Sequence, residues 1–212
     1  MRVWYFCLAA LLLCLSSCSS KKSDDLTALQ SETKIQKPQV ALVPLLDTSC
    51  HRLNWSVSKE ITQGLFETLK EQDHCKITLA SKIKHHDPFG ADVSWIKKEF
   101  SNHEFVIFVL LSEHSEKPSY PTQEVAISDS PTDLKIAFQL RVFDVREEEP
   151  KIILQETIEK TQHIPRPFSC FNFRQVAWGD PLYTFSPMGI VHRELIDEIS
   201  FHIQDYILAG TK

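Results

Sequence analysis

Short apolar segments alternate with polar turns over residues 39–209, and their spacing predicts the secondary structure. Val40–Leu46 is a continuous apolar run, as expected for a strand covered on both faces. Its Pro44 cannot donate to a ladder and therefore belongs near the strand end or at a bulge. In the next segment Asn54 or Ser56 suits a helix N-cap. Apolar residues then recur every four positions and predict one buried helix face: Val57, Ile61, Leu65 and Leu69.

Two more strands and a short helix follow this first helix. Gly64 inside the first helix lowers propensity by about 1 kcal/mol relative to Ala, which predicts a close approach to a sheet. Lys76–Ala80 is typical of a second strand, Asp92 suits the cap of a short helix, and Phe105–Leu111 predicts a buried third strand. Strands alternating with helices across short joints indicate a parallel sheet with right-handed crossovers.

The pattern changes in the second half of the chain. A polar loop is predicted from Glu113 to Asp133, followed by two strands, Leu134–Val145 and Lys151–Gln162, that form an antiparallel hairpin. The chain ends in a helix from Pro187 to Leu208 with an apolar stripe formed by Val191, Leu195, Ile199, Ile203 and Ile207. The predicted fold is therefore α/β, in two or three layers, with about five strands in the order β-α-β-α-β-β-β-α.

The amino-terminal residues have the pattern of a secretory signal. Arg2 precedes a 13-residue apolar run, Val3–Leu15, which is too short to span a bilayer because a spanning helix needs about 20 residues. The stretch Leu15-Ser16-Ser17-Cys18 resembles the lipobox of bacterial lipoproteins. The resemblance implies cleavage between Ser17 and Cys18 and a covalent lipid on the Cys18 sulfur. Residues 18–38 are polar and charged, which predicts a flexible tether ahead of a single domain at 39–209.

Charge and the residue after the lipidated cysteine bear on location and partners. The chain has a formal net charge of −5, and no basic stripe stands out, which argues against nucleic acid as a partner. The membrane is predicted to be contacted through the lipid anchor. In enteric bacteria an Asp after the lipidated cysteine favours the inner membrane, so Ser19 favours the outer membrane, facing the periplasm. The sequence leaves the oligomeric state open.

Three cysteines remain after the signal and the lipidated position: Cys50, Cys75 and Cys170. An odd number permits at most one intramolecular disulfide. The predicted topology places Cys50 and Cys170 at the same end of the sheet and Cys75 at the opposite end, about 25 Å away along a helix. We therefore predict a Cys50–Cys170 bridge and an unpaired Cys75.

The sequence lacks the common motifs that carry enzyme chemistry. The five glycines do not form a phosphate-binding loop, and no Gly-x-Ser-x-Gly elbow occurs. His192-Arg193-Glu194 lies on the last predicted helix but lacks the second His at the zinc spacing. His85-His86-Asp87 is the densest potential metal cluster, but its position before Pro88 favours solvated turn residues. No catalytic residue, metal or cofactor is predicted, apart from the lipid on Cys18.

An aromatic segment between residues 168 and 185 contains six aromatic residues in eighteen positions, against a chain average of 10%. One interpretation is a partner-binding surface, because aromatic residues dominate interface energetics; its members are Phe171, Phe173, Trp178 and Tyr183. The other interpretation is a loop folded back over the open side of the sheet, since long loops often bring their own packing.

The element order resembles that of a family of bacterial envelope domains: the TolB amino-terminal domain, the curli secretion lipoprotein CsgG and the lipoprotein activators of penicillin-binding proteins. The resemblance rests on Val40-Ala41-Leu42-Val43-Pro44-Leu45, on Gly64-Leu65 with Leu69, and on Asp144-Val145 before the next strand. It implies a non-enzymatic, membrane-anchored adaptor or assembly factor with an envelope protein as partner. The alternative is a lipid-anchored hydrolase or metal-dependent enzyme with an unrecognised site.

Overall fold

The computed structural model describes residues 37–50, 53–83, 86–119, 131–165 and 176–211, which all belong to one compact unit, Lys37–Lys212. The elements in chain order are β1 (Gln39–Leu42), β2 (Leu46–Asp47), α1 (Val57–Glu71), β3 (Lys76–Leu79), α2 (Ser94–Glu99), β4 (Phe105–Pro118), β5 (Thr132–Asp144), β6 (Lys151–Ile164), a 3₁₀ turn (Tyr183–Phe185) and α3 (Pro187–Gly210).

The strands form one sheet in the order β3-β1-β4-β5-β6, and β2 pairs with β4 beyond the end of β1. β1 is parallel to β3 and β4, whereas the β4–β5 and β5–β6 pairs are antiparallel. The predicted α/β fold and its antiparallel hairpin are confirmed. The predicted first strand, Val40–Leu46, is instead two short strands, because Pro44 lies between them and has no N–H for a ladder bond.

Helices cover the sheet unequally on its two faces. α1 and α3 pack on one face, where they enclose the larger core with Leu42, Ile107 and Phe138. On the other face the short α2 and its flanking loops cover only β1, the start of β4 and the end of β5, around Phe108 and Phe143. No helix within the described residues combines the length and apolarity needed to cross a membrane.

Both predicted helix stripes are confirmed, since every residue of each is buried. Ser56, one of the two suggested residues, caps α1, because its hydroxyl accepts a hydrogen bond from the Lys59 N–H at 3.2 Å. The expected contact of Gly64 with the sheet is wrong. A Cβ at Gly64 would lie 2.5 Å from Cδ1 of Ile196, so the missing side chain brings α1 close to α3.

The predicted start of the polar loop at Glu113 is also wrong, because β4 continues to Pro118. The register shifts between Leu111 and Glu113, so Ser112 is the extra residue of a β-bulge. Beyond the bulge His114 lies opposite Ile136 and is buried on the helix-covered face, whereas Glu113 lies opposite Ala137. The bulge reverses the inside–outside alternation. The polar residues that follow it therefore show no strand pattern in the sequence.

Candidate functional site

Five polar or aromatic side chains meet between the helices and the sheet; we call them the buried network, Trp55, Glu60, His114, Tyr183 and His192. Glu60 lies in the first turn of α1, and His114 is turned inward by the bulge in β4. Tyr183 opens the 3₁₀ turn, and His192 lies in the second turn of α3. Four separate elements therefore contribute to one cluster.

The Glu60 carboxylate is the centre of this network. The Tyr183 hydroxyl donates to Glu60 Oε1 at 2.6 Å, and the Trp55 Nε1–H donates to Oε2 at 2.8 Å. His192 Nδ1 lies 2.8 Å from the same Oε1 and 2.9 Å from the Tyr183 hydroxyl oxygen. The Nε2 atoms of His192 and His114 are 3.0 Å apart. Hydrogen bonds thus link a buried carboxylate to β4 through two imidazole rings.

These distances restrict where the protons lie. Glu60 as a carboxylate only accepts hydrogen bonds, so a proton on His192 Nδ1 points at it. A single proton joins the two Nε2 atoms, and one imidazole donates while the other accepts. Burial and the nearby charge of Glu60 raise the pKa of Tyr183 well above its usual value, so its hydroxyl stays a neutral donor.

The buried network has the residue types of acid–base catalysis but not the access. Glu60, His114, Tyr183 and His192 are all buried, with at most 4% of any of them exposed. A general base must come within hydrogen-bond reach of a substrate proton, and buried side chains without an opening do not. The network instead joins α1, β4, the 3₁₀ turn and α3, which makes it a device for positioning.

A second cluster, Ser119, Asp133 and His163, lies at the far end of the hairpin. The Ser119 hydroxyl donates to Asp133 Oδ1 at 2.9 Å, and His163 Nδ1 lies 2.8 Å from that oxygen and 3.2 Å from the Ser119 hydroxyl. In a catalytic triad the imidazole holds the carboxylate with one nitrogen and the serine with the other. Here both contacts fall on Nδ1, so the cluster does not have the geometry of a triad.

Large apolar side chains are exposed where the 3₁₀ turn meets α3; we call this the turn surface, Leu182, Phe185 and Ile190. Phe185 is 79% exposed and Leu182 is 61% exposed. Phe185 and Ile190 also line an open groove of about 370 Å³ between the end of β6 and the start of α3. Ile164, Pro165, Pro187 and Val191 supply its other apolar walls, and Gln162, His163 and Glu194 its polar edge. An exposed apolar surface beside a groove is typical of an interaction site.

The turn surface is held rigidly by its neighbours. Between Leu182 and Phe185, Tyr183 points inward into the buried network. The Ser186 N–H and hydroxyl both donate to the Tyr183 carbonyl, at 2.9 and 2.7 Å, and the Ser186 hydroxyl accepts from the Gly189 N–H at 3.0 Å. Only glycine fits at 189, because a Cβ there would lie 2.1 Å from the Tyr183 carbonyl oxygen.

The predicted partner-binding residues are placed differently from one another. Trp178 is partly exposed, as a partner surface requires. Tyr183 is buried, which corrects its expected role: its hydroxyl bonds inside the domain, and it anchors the neighbouring Phe185 instead of touching a partner. Phe171 and Phe173 lie outside the described residues, as do Ser17 and Cys18, the predicted cleavage and lipidation residues.

The cysteines fall into different environments. Cys50 is exposed and Cys170 lies outside the described residues, so the predicted bridge between them stays a prediction. Cys75 is a free, half-buried thiol. Burial raises its pKa to about 11, which keeps it protonated and poorly nucleophilic at neutral pH.

Two residues of the histidine-rich turn have packing roles. The His86 ring stacks on Trp95 with 4.6 Å between centroids, and Asp87 Oδ1 accepts from the Phe89 N–H at 2.8 Å. His85 lies outside the described residues. Within the part of the chain that the structure describes, no group of three His, Cys, Asp or Glu side chains is arranged to hold a metal ion.

Sequence reasoning missed Glu60, His114 and Leu182. Glu60 looks like an ordinary acidic residue in the first turn of a helix, and His114 follows a bulge that hides its inward direction. A usable signal exists for His192. It stands one residue after Val191 on a helix whose buried stripe is wide enough to enclose it.

A family model with the description "Family of unknown function (DUF7499)" matches residues 26–211. No curated protein matches the sequence. Among solved structures, the hypothetical protein CT253 from Chlamydia trachomatis is similar, with 22% identity and a TM-score of 0.62 over 82% of this chain and 99% of that chain. This likeness supports the fold.

Looser likenesses include a dodecameric protein and a lipoprotein. PelC from Paraburkholderia phytofirmans, a dodecamer, has 13% identity and a TM-score of 0.41 over 77% of this chain and 87% of that chain. Lipoprotein GNA1162 from Neisseria meningitidis has 12% identity and a TM-score of 0.37 over 59% of this chain and 83% of that chain. Bacterial lipoproteins therefore occur among the structural neighbours, and the finer resemblance to TolB and CsgG stays a prediction.

Proposed function

We propose a function for this chain, which belongs to the DUF7499 family of unknown function. It is a lipid-anchored protein of the bacterial cell envelope that acts as a non-enzymatic adaptor or assembly factor. It works by binding an envelope protein at the turn surface. The lipidated Cys18 holds the domain at a membrane, and Ser19 favours the outer membrane with the domain in the periplasm. A tether at residues 18–38 gives the domain freedom to meet its partner.

One observation carries the proposal: Phe185 is 79% exposed, although it lies on a turn that buried hydrogen bonds hold in place. Tyr183, two residues earlier, is bonded to Glu60 and His192, so the turn is ordered before any partner arrives. A pre-organised apolar anchor loses little conformational entropy on binding. The buried network therefore holds Phe185 in an exposed position, which favours a binding role for this side chain.

The chemistry of the surface indicates what the partner brings. The groove beside Phe185 is lined mainly by apolar side chains with a polar edge, which fits an apolar side chain of another protein. Burying the side chains of Leu182 and Phe185 contributes about 1.5–3 kcal/mol each. Energies of this size are those of interface hot spots, so two substitutions are expected to remove most of the binding.

The test is affinity purification from envelopes after crosslinking, with wild type compared with Phe185→Ser and Leu182→Ser. We expect each variant to fold normally and to lose the dominant crosslinked partner. Phe201→Ser is the matched control, because Phe201 is 59% exposed on α3 but lies outside the turn surface. Equal recovery of the partner by Phe185→Ser and by the control would contradict the proposal.

Membrane anchoring is tested separately. Cys18→Ala is expected to release a folded protein from membranes, because the lipid is attached to that sulfur. The wild type should label with a palmitate analogue and the variant should not. Membrane association of Cys18→Ala protein that resists carbonate and high salt would contradict the lipid anchor.

The alternative function, a lipid-anchored hydrolase or metal-dependent enzyme, has Ser119, Asp133 and His163 as its best candidate group. Their shared use of one imidazole nitrogen does not support a relay. A hydrolase screen with His163→Ala as comparison decides between the functions. Turnover by the wild type that is lost in His163→Ala would favour the enzyme function over the adaptor function.

A further inference from the structure

The sheet ends in two very different edges. β3 forms one edge and contains four residues, whereas β6 forms the other and contains fourteen, Lys151–Ile164. Among the described residues, β6 pairs only with β5, so its outer backbone N–H and C=O groups have no strand partner. A long edge strand is a template for pairing with another chain unless its side chains prevent it.

The charges on β6 are arranged symmetrically about its middle. Glu156 and Lys160 lie two residues before and after Ile158, on the face covered by α3. Each has a partner on that helix: Glu156 Oε2 lies 2.5 Å from His202 Nδ1, and Lys160 pairs with Glu194. These contacts hold both charges on the same side of the sheet at matched distances from Ile158.

We propose that β6 pairs with β6 of a second copy of this chain, antiparallel about a two-fold axis at Ile158. In this register Glu156 of each copy stands opposite Lys160 of the other, and Ile158 stands opposite itself. Opposite charges in directly facing positions stabilise a strand pair. The two sheets then continue into one another, and the inference holds whether or not the chain is an adaptor.

Other registers are opposed by the same side chains. Residues that stand opposite one another in an antiparallel pair lie on the same face of the sheet. The two-fold axis can therefore pass through a residue but not between two neighbouring residues. An axis at Glu156 or at Lys160 places like charges opposite each other. An axis one residue before Ile158 sets both charges against apolar residues, and an axis one residue after it brings Glu159 opposite itself. The Ile158 register alone pairs all four charges.

The pairing does not require the internal contacts to break. A lysine ammonium has three donors, so Lys160 keeps Glu194 and also donates to Glu156 of the second copy. The result is a row of hydrogen-bonding side chains across the axis: His202 and Glu156 of one copy, then Lys160 and Glu194 of the second copy. Because a single edge strand buries less surface than a standard interface, the dimer is expected to be weak and concentration-dependent.

Sedimentation equilibrium of the full-length chain in detergent tests the proposal with two engineered charge sets. The variant Lys160→Glu/Glu194→Lys keeps an internal ion pair but places Glu opposite Glu156 twice per dimer, and its dimerisation is expected to weaken at least tenfold. Adding Glu156→Lys restores opposite charges across the axis and is expected to restore the dimer. The two variants differ only at residue 156.

Lys135→Glu is the control, because it reverses a charge on β5, where both edges of the strand are already paired. It is expected to leave dimerisation unchanged. Circular dichroism establishes that every variant is folded. A wild type that stays monomeric up to its solubility limit would overturn the proposal, and so would a dimer that the charge changes at 156 and 160 do not affect.

Discussion

Replacing Tyr183 by Phe removes one hydroxyl from the centre of the buried network and leaves the ring in place. The hydroxyl donates to a buried carboxylate oxygen at 2.6 Å, and the residue is only 4% exposed, so bulk solvent does not make up for the lost bond. A hydrogen bond to a charged group is worth about 1.5–3 kcal/mol. The variant is therefore expected to lose about 2 kcal/mol of unfolding free energy at neutral pH, without a change in fold.

The same substitution has a pH signature. Burial and the charge of Glu60 raise the pKa of Tyr183 above its unfolded value of 10.0. Its contribution to stability is therefore complete below pH 10 and falls as pH rises above that value, because only the unfolded chain then releases the proton. At pH 11 the loss is about 1.4 kcal/mol. Tyr183→Phe lacks this term, so the difference between wild type and variant shrinks by that amount between pH 9 and pH 11.

Urea unfolding followed by circular dichroism, with equal m-values as the condition for comparison, measures both effects. Tyr206→Phe is the control, because Tyr206 lies on α3 and is exposed. It is expected to change stability by less than about 0.5 kcal/mol at any pH. A Tyr183→Phe variant as stable as this control, or one whose deficit does not shrink above pH 10, would refute the account of the network.

Three further predictions concern a tightly packed glycine, a buried thiol and a helix cap. Gly189→Ala is expected to cost about 2 kcal/mol or more and to abolish partner binding, because its Cβ would overlap the Tyr183 carbonyl; thermal unfolding and crosslinking measure the two losses. In iodoacetamide labelling at pH 8 of protein first reduced with a phosphine, followed by peptide mass spectrometry, Cys75 is expected to react far more slowly than the exposed Cys50, since burial raises the Cys75 pKa to about 11. Ser56→Ala is expected to cost about 1 kcal/mol in urea unfolding, because the cap of α1 is lost.

Periodicity predicted the fold well where one side of an element faces an apolar core. The stripes beginning at Val57 and Val191 are buried throughout, because a helix that packs on a sheet must place its apolar residues three and four positions apart. The hairpin face that includes Ile136 and Phe138 is buried for the analogous reason in a strand. Local patterns suffice for such elements.

The candidate sites escaped prediction because they depend on contacts between distant parts of the chain. Glu60 and Tyr183 are 123 residues apart in sequence, and no local pattern indicates that they meet. His114 reaches the network only because Ser112 forms a bulge, and a bulge shifts the alternation that identifies a strand. The aromatic richness before α3 was visible in the sequence. The sequence did not show that Tyr183 turns inward while Phe185 turns outward.

In the proposed function, the start of the domain and the turn surface have different tasks and lie at opposite ends of the domain. β1 begins beside Glu104, whose N–H donates to the Gln39 carbonyl, and this end also holds the end of α3, where Arg146 donates to the Gly210 carbonyl. Phe185 lies before the start of α3, which is about 36 Å long for its 24 residues at 1.5 Å each. The described chain therefore begins, at Lys37, at the end of the domain opposite the turn surface. On this argument Cys18→Ala protein should bind a partner with unchanged affinity, and Phe185→Ser protein should still fractionate with membranes; joint loss of both properties in either variant would show that one surface serves both.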